Sequence, residues 1–132
     1  MTDKTKNINT TALAYIGDAV YEIYIRKHSI EGGQHKVDVL HKKAVKFVRA
    51  DGQALAVKTM MREEFLSEEE ISLVKRARNH ESASKPKNAD PVIYKLATAF
   101  EALIGFLYLE ENTDRLEEVI ARAIAIIEEG EK

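Results

Sequence analysis

Two acids stand where acids have little reason to be. Asp18 lies inside AYIGDAVYE (14–22), and Glu101 lies inside ATAFEALIGFLYLE (97–110), the most apolar stretch of the chain. Charged side chains avoid cores unless they are paired or hold a metal. Neither acid is near a helix end, and neither has Lys or Arg at i±3 or i±4 to neutralise it. Gly17 precedes Asp18, and Gly105 follows Glu101 by one turn. Glycine inside a helix costs roughly 1 kcal/mol relative to Ala, and close approach of a second helix is one reason to carry it. Tight packing of these two segments would bring the carboxylates together. Adjacent carboxylates repel unless they share a proton or a cation. With only oxygen ligands on offer, the natural guest is a hard cation. Mg²⁺ suits one or two carboxylates completed by water and phosphate oxygens. Taken singly, each acid fits equally well a structural role, reaching an Arg or the solvent. Glu22, at i+4 from Asp18, reads as the polar edge of its helix, and Thr98, at i−3 from Glu101, as an ordinary helix residue.

The elements that must position this pair are helical. Thr10 or Thr11 caps a first helix with Leu13, Ile16, Val20 and Ile23 on its apolar side, running to about His28. Residues 1–9 ahead of it are expected to be disordered. Glu31-Gly32-Gly33 is a turn. A second helix carries Val37, Leu40, Ala44 and Val48, and Asp51-Gly52 breaks or bends the pattern that continues through Ala54, Leu55, Val57, Met60 and Met61. Ser67 and Glu70 form a capping box for a helix with Ile71 and Val74 inside. Residues 79–90 lack apolar period and read as a loop. Asp90-Pro91 starts a long apolar helix reaching about Leu109. Asn112 or Thr113 caps a last one, with Leu116, Val119, Ile120, Ala123 and Ile127, ending near Gly130. The expectation is one all-α domain of about six helices.

Composition narrows the function classes. At 132 residues the chain is one domain long, and 45% apolar with 32% charged residues is a soluble globular balance. The absence of Cys excludes disulfides, thiolate zinc sites and a cysteine nucleophile. His28, His35, His41 and His80 show no HxxxH spacing, so no zinc is expected. No apolar run is read as a membrane span and no signal peptide opens the chain, so a cytoplasmic protein without membrane association is expected. The net charge of −2 argues against a uniformly basic nucleic-acid binder. That total hides segregation: residues 35–62 carry seven Lys/Arg against two acids, and 75–90 five against two, while 110–132 carry eight acids against three bases. A local basic surface can therefore exist on an acidic chain.

The two acid-bearing stretches resemble a known family. AYIGDAVYE resembles the second half of the ribonuclease III signature, of core LEFLGDAVL, and ATAFEALIGFLYLE resembles that family's second motif, ADAFEALIGAIYLD. LHKK (40–43), KRARN (75–79) and PKN (86–88) look like the Mini-ribonuclease III branch. The resemblance spans roughly residues 11–110 and leaves no space for the usual double-stranded-RNA-binding domain. It implies that residues 1–132 form one ribonuclease III-like endonuclease domain, a homodimer. It also implies Mg²⁺-dependent hydrolysis of double-stranded RNA to 5′-phosphate products, in maturation of the large-subunit ribosomal RNA precursor. Carried over by position, Asp18 and Glu101 fall on the catalytic, metal-holding acids. Ala14, Thr11 and Thr98 stand where the wider family has carboxylates. One firmly held Mg²⁺ is expected, with any second ion recruited by the phosphate. The loss of those acids motivates the alternative of a catalytically idle RNA-binding or ribosome-associated scaffold. Duplex RNA is recognised by shape, phosphates and 2′-hydroxyls. The candidate contacts are Lys42, Lys43, Lys46, Arg76, Arg78, Lys85, Lys87 and Asn88.

Overall fold

The computed structural model describes residues 3–33, 35–80 and 88–130, and among these it contains helices and no strand. A single turn, α1 (Asp3–Lys6), precedes six long helices: α2 (Thr10–Glu31), α3 (Val37–Val48), α4 (Ala50–Arg62), α5 (Glu68–Asn79), α6 (Pro91–Leu109) and α7 (Thr113–Glu129). The all-α expectation of about six helices holds. Ahead of α2, the segment from Asp3 packs on the body of the protein. Thr5 is fully buried, and its hydroxyl donates to Glu110 Oε2 at 2.7 Å.

Side-chain caps set most boundaries. Asn9, rather than Thr10 or Thr11, caps α2: its Oδ1 accepts from the Ala12 amide at 2.8 Å. Ser67 and Glu70 form the expected capping box of α5. Asp90 accepts from the Val92 and Ile93 amides at the start of α6, with Pro91 in the first turn. Asn112 caps α7. The break after α3 falls at Arg49, whose backbone is extended, two residues before Asp51. Gly52 lies inside α4 and serves contact instead: a Cβ there would sit 2.4 Å from the Lys46 carbonyl oxygen.

Helix α6 runs through the middle of the molecule, packed by α2, α4, α5 and α7. Phe100, Leu103, Ile104 and Leu107 are buried along it. Each such side chain contributes about 1.5–3 kcal/mol on removal from water. By length and apolar character alone, Pro91–Leu109 would suffice to cross a membrane, which corrects the reading that no run is long enough. Its apolarity has a packing reason, since neighbours surround it on most sides. Tyr21 stacks edge-on to Phe100 with ring centres 4.9 Å apart, and its hydroxyl donates to the Phe47 carbonyl at 2.9 Å, tying α2 to α3 and α6.

The glycines of the two motifs do what their positions suggested. A Cβ on Gly17 would lie 1.8 Å from the Glu101 carbonyl oxygen, and one on Gly105 would lie 1.9 Å from that of Leu13. Backbone touches backbone at both points. Gly17→Ala or Gly105→Ala would force α2 and α6 apart and is expected to cost about 2–3 kcal/mol. Denaturant unfolding checks this, and an unchanged midpoint would show that the helices slide freely.

One ion pair closes the far side. Arg115 Nε and Nη2 donate to Glu70 Oε2 and Oε1 at 2.9 and 2.8 Å, and Nη2 also donates to the Phe65 carbonyl at 2.8 Å. The guanidinium lies 4.6 Å over the Phe65 ring. Burial works to raise the Glu70 pKa, but Arg115 and the Ser67 amide prevail and hold it below the ordinary carboxylate value.

Candidate active site

The α2–α6 contact brings Asp18 and Glu101 together, across 83 positions of chain. The two carboxyl groups are close enough to act on each other electrostatically, and the Gln53 side chain of α4 acts on Glu101 as well. Glu101 is half-buried, whereas Asp18 is exposed. The expectation that both acids lie on a buried side is therefore corrected for Asp18. Its apolar surroundings in the sequence are partly surface: Tyr15 is 84% exposed and Ile23 is 67% exposed, although Ile23 was assigned to the inner side.

The electrostatics follow from this arrangement. Burial, reinforced by the neighbouring Asp18 carboxyl, pushes the Glu101 pKa up to about 8, while Gln53 works against the shift. The pair therefore carries one more negative charge than its surroundings accept unaided. Burial, with the nearby Glu101 charge, also holds the Tyr21 phenol well above its usual value.

This donor set fits a hard divalent cation. It offers carboxylate oxygens alone, close enough to need a shared positive charge, with one acid open to solvent and substrate. Among the described residues no group of three His, Cys, Asp or Glu converges anywhere. Two protein carboxylates leave most of an octahedral shell to water and phosphate, the pattern suited to Mg²⁺.

Sequence reasoning missed Gln53. It is 2% exposed, its amide nitrogen donates to the Val48 carbonyl at 3.3 Å, and it works to lower the Glu101 pKa. An amide inside the apolar period of α4 was the available signal. Glu22 is paired with Arg26 at 3.1 Å, as a polar edge should be. Thr98 is half-buried on α6.

The basic candidates divide between two elements. Lys42 and Lys43 are exposed on α3, and Lys46 is half-buried with its Nζ 5.0 Å from the Phe47 ring centre. Arg76 is exposed at the end of α5, Arg78 is half-buried there, and Asn88 is exposed before α6. Lys85 and Lys87 lie outside the described residues.

The Ribonuclease III domain model matches residues 11–112, the span that contains α2 through α6 and both acids. This chain belongs to the ribonuclease III family. Within it, the chain is 46% identical over 121 residues to Mini-ribonuclease 3 of Streptococcus pneumoniae, covering 92% of this chain and 94% of the relative. It is 48% identical over 115 residues to Mini-ribonuclease 3 of Enterococcus faecalis, covering 87% of each. A crystal structure of a protein from Fusobacterium nucleatum superposes with a TM-score of 0.81 at 31% identity, covering 94% of this chain and 99% of the other. The family resemblance read from the two motifs thus holds over most of the chain, and this member of the ribonuclease III family is an endoribonuclease.

Proposed function

We propose that the chain is a Mg²⁺-dependent endoribonuclease that cuts double-stranded RNA as a homodimer in the cytoplasm, and that its natural substrate is the large-subunit ribosomal RNA precursor. The observation that carries this reading is the contact between Asp18 and Glu101. These two carboxylates would hold the ion, which when bound supplies Lewis acidity toward the scissile phosphate and the attacking water. Asp18 faces the side from which substrate arrives, and Gln53 acts on Glu101 behind it. Water adds to phosphorus and the bond to the 3′ oxygen breaks, leaving a 5′-phosphate and a 3′-hydroxyl. Lys42, Lys43, Lys46, Arg76, Arg78, Lys85, Lys87 and Asn88 supply phosphate and ribose contacts along the duplex. The test is incubation with duplex and single-stranded RNA, with Mg²⁺ and with a chelator. Cutting of the duplex alone, only with the ion, is expected. A duplex left intact at every Mg²⁺ concentration would overturn the reading. A transcript carrying a ribosomal RNA precursor stem tests the substrate assignment.

The dimer rests on an uncovered face. Ala12, Tyr15, Ala19, Ile23 and Ile30 are all exposed on α2, at spacings of three, four, four and seven residues, which places them in one stripe beside Asp18. The run from Ala12 to Ile23 is a contiguous apolar stripe, unusual on a monomer, and Arg26 separates it from Ile30. A second copy packed on it about a two-fold axis would set two acid pairs across one duplex, one for each strand. Ile23→Asp is expected to convert the dimer to a folded monomer, read by sedimentation equilibrium. A variant that stays dimeric would place the interface elsewhere.

A further inference from the structure

A cavity of about 460 Å³ opens between α4, the end of α5 and the start of α6. Three cations from three helices, Lys58, Arg78 and Lys95, line it, and among the described residues no carboxylate does. Among the described residues none of the three belongs to an ion pair. Lys58 and Lys95 are exposed. Met61, Val92 and Leu96 contribute an apolar wall, with Val92 66% exposed to whatever enters.

The cavity lies close to the acid pair along two helices. Lys58 follows Gln53 on α4 by five residues, and Lys95 precedes Glu101 on α6 by six. At 1.5 Å per residue these are axial offsets of about 7.5 and 9 Å. The helices that carry Gln53 and Glu101 thus also carry two of the cavity's cations, each within two turns of the site.

The mixture of linings selects the ligand. Cations alone would suit a duplex backbone. A duplex, however, keeps its bases stacked inside and offers the apolar wall nothing to cover. A nucleotide outside the helix presents both an anionic phosphate and a flat, weakly hydrated base face, which is the pairing used to bind single strands. The volume is also that of a small-ligand site. We infer that this cavity receives an unpaired nucleotide flanking the duplex, its phosphate against Lys58, Arg78 and Lys95 and its base against Met61, Val92 and Leu96. This inference rests on the double-stranded RNA reading above. It adds that the enzyme reads the junction where a stem opens into single strand.

The test compares wild type with Lys58→Ala/Lys95→Ala, both exposed positions at which substitution leaves stability within about 0.5 kcal/mol. Three probes are titrated in Ca²⁺ without turnover: a blunt RNA duplex, the same duplex with a single-stranded extension, and adenosine monophosphate. Wild type is expected to prefer the extended duplex about tenfold. The double variant should lose that preference and flatten the salt dependence for the extended duplex by about 0.7, the value for one single-strand phosphate. Its affinity for the blunt duplex should be unchanged. Binding of the mononucleotide that the variant loses, without any preference for the extension, would keep the nucleotide chemistry but overturn the RNA source. Equal binding of all three probes by both proteins would overturn the inference altogether. Cleavage of the blunt duplex by wild type, assayed separately with Mg²⁺, reports on the underlying reading. Its failure is therefore distinct from a failure at the cavity. Val92→Glu, which puts a charge on the apolar wall at an exposed site, should reproduce the loss of preference by an independent route.

Discussion

Asp18→Asn and Glu101→Gln are each expected to lower duplex cleavage at least about a thousandfold, the scale of several kcal/mol of charge stabilisation. Both replacements keep size and shape and remove one negative charge. Binding of the cation weakens, and with it alignment of the phosphate. The fold should survive. Glu101 is half-buried with a pKa pushed up to about 8 by burial and by Asp18, so at neutral pH the metal-free pair holds a proton in place of its second charge. The neutral amide stands in for that protonated carboxyl, and metal-free Glu101→Gln should melt no lower than wild type. Single-turnover cleavage and a thermal melt check the two halves. Wild-type cutting rates in either variant would remove these acids from the mechanism. A variant that is both inactive and unfolded would assign the carboxyl pair to structure.

Arg115→Ala is expected to destabilise the protein by about 3 kcal/mol at neutral pH, because it strands a buried carboxylate. The Glu70 side chain is 6% exposed and that of Arg115 is 21% exposed. Arg115 also hydrogen-bonds the Phe65 carbonyl, joining the α4–α5 connection to α7. The pH dependence has a fixed sign. The folded pKa of Glu70 lies below the ordinary glutamate value of 4.5. The pair's contribution is therefore complete above that value and is lost as the pH falls through the folded pKa. The stability gap between wild type and Arg115→Ala should thus be constant from pH 7 to about 4.5 and narrow as the pH falls below that. Urea unfolding across that range measures it. A gap independent of pH would show that Arg115 acts through packing on Phe65 rather than through Glu70.

Much of the fold was legible because its signals are local. Caps at Ser67, Asp90 and Asn112 need only neighbouring residues, and apolar period identifies the inner side of α7 without a partner. The acid pair was legible for a different reason. An unneutralised charge in an apolar stretch violates a rule that holds chain-wide, and the glycines one turn away announced a close crossing. What failed was the sorting of apolar residues. Ile23 and Val37 carry the same side-chain chemistry as core residues, yet both are exposed. Periodicity names a stripe but not what covers it.

The sequence by itself determined the helices, their ends, the two carboxylates and the family to which they belong. Each of these depends on interactions within a turn or two of chain, or on a motif read in line. Only the tertiary structure decided that Asp18 is the exposed member of the pair, that Gln53 acts on Glu101, and that Lys58, Arg78 and Lys95 share one cavity. Those relations join residues from different helices, and their geometry is fixed by how helices cross. That crossing is set by backbone contact at Gly17 and Gly105, a property of two surfaces meeting rather than of either strand of sequence alone.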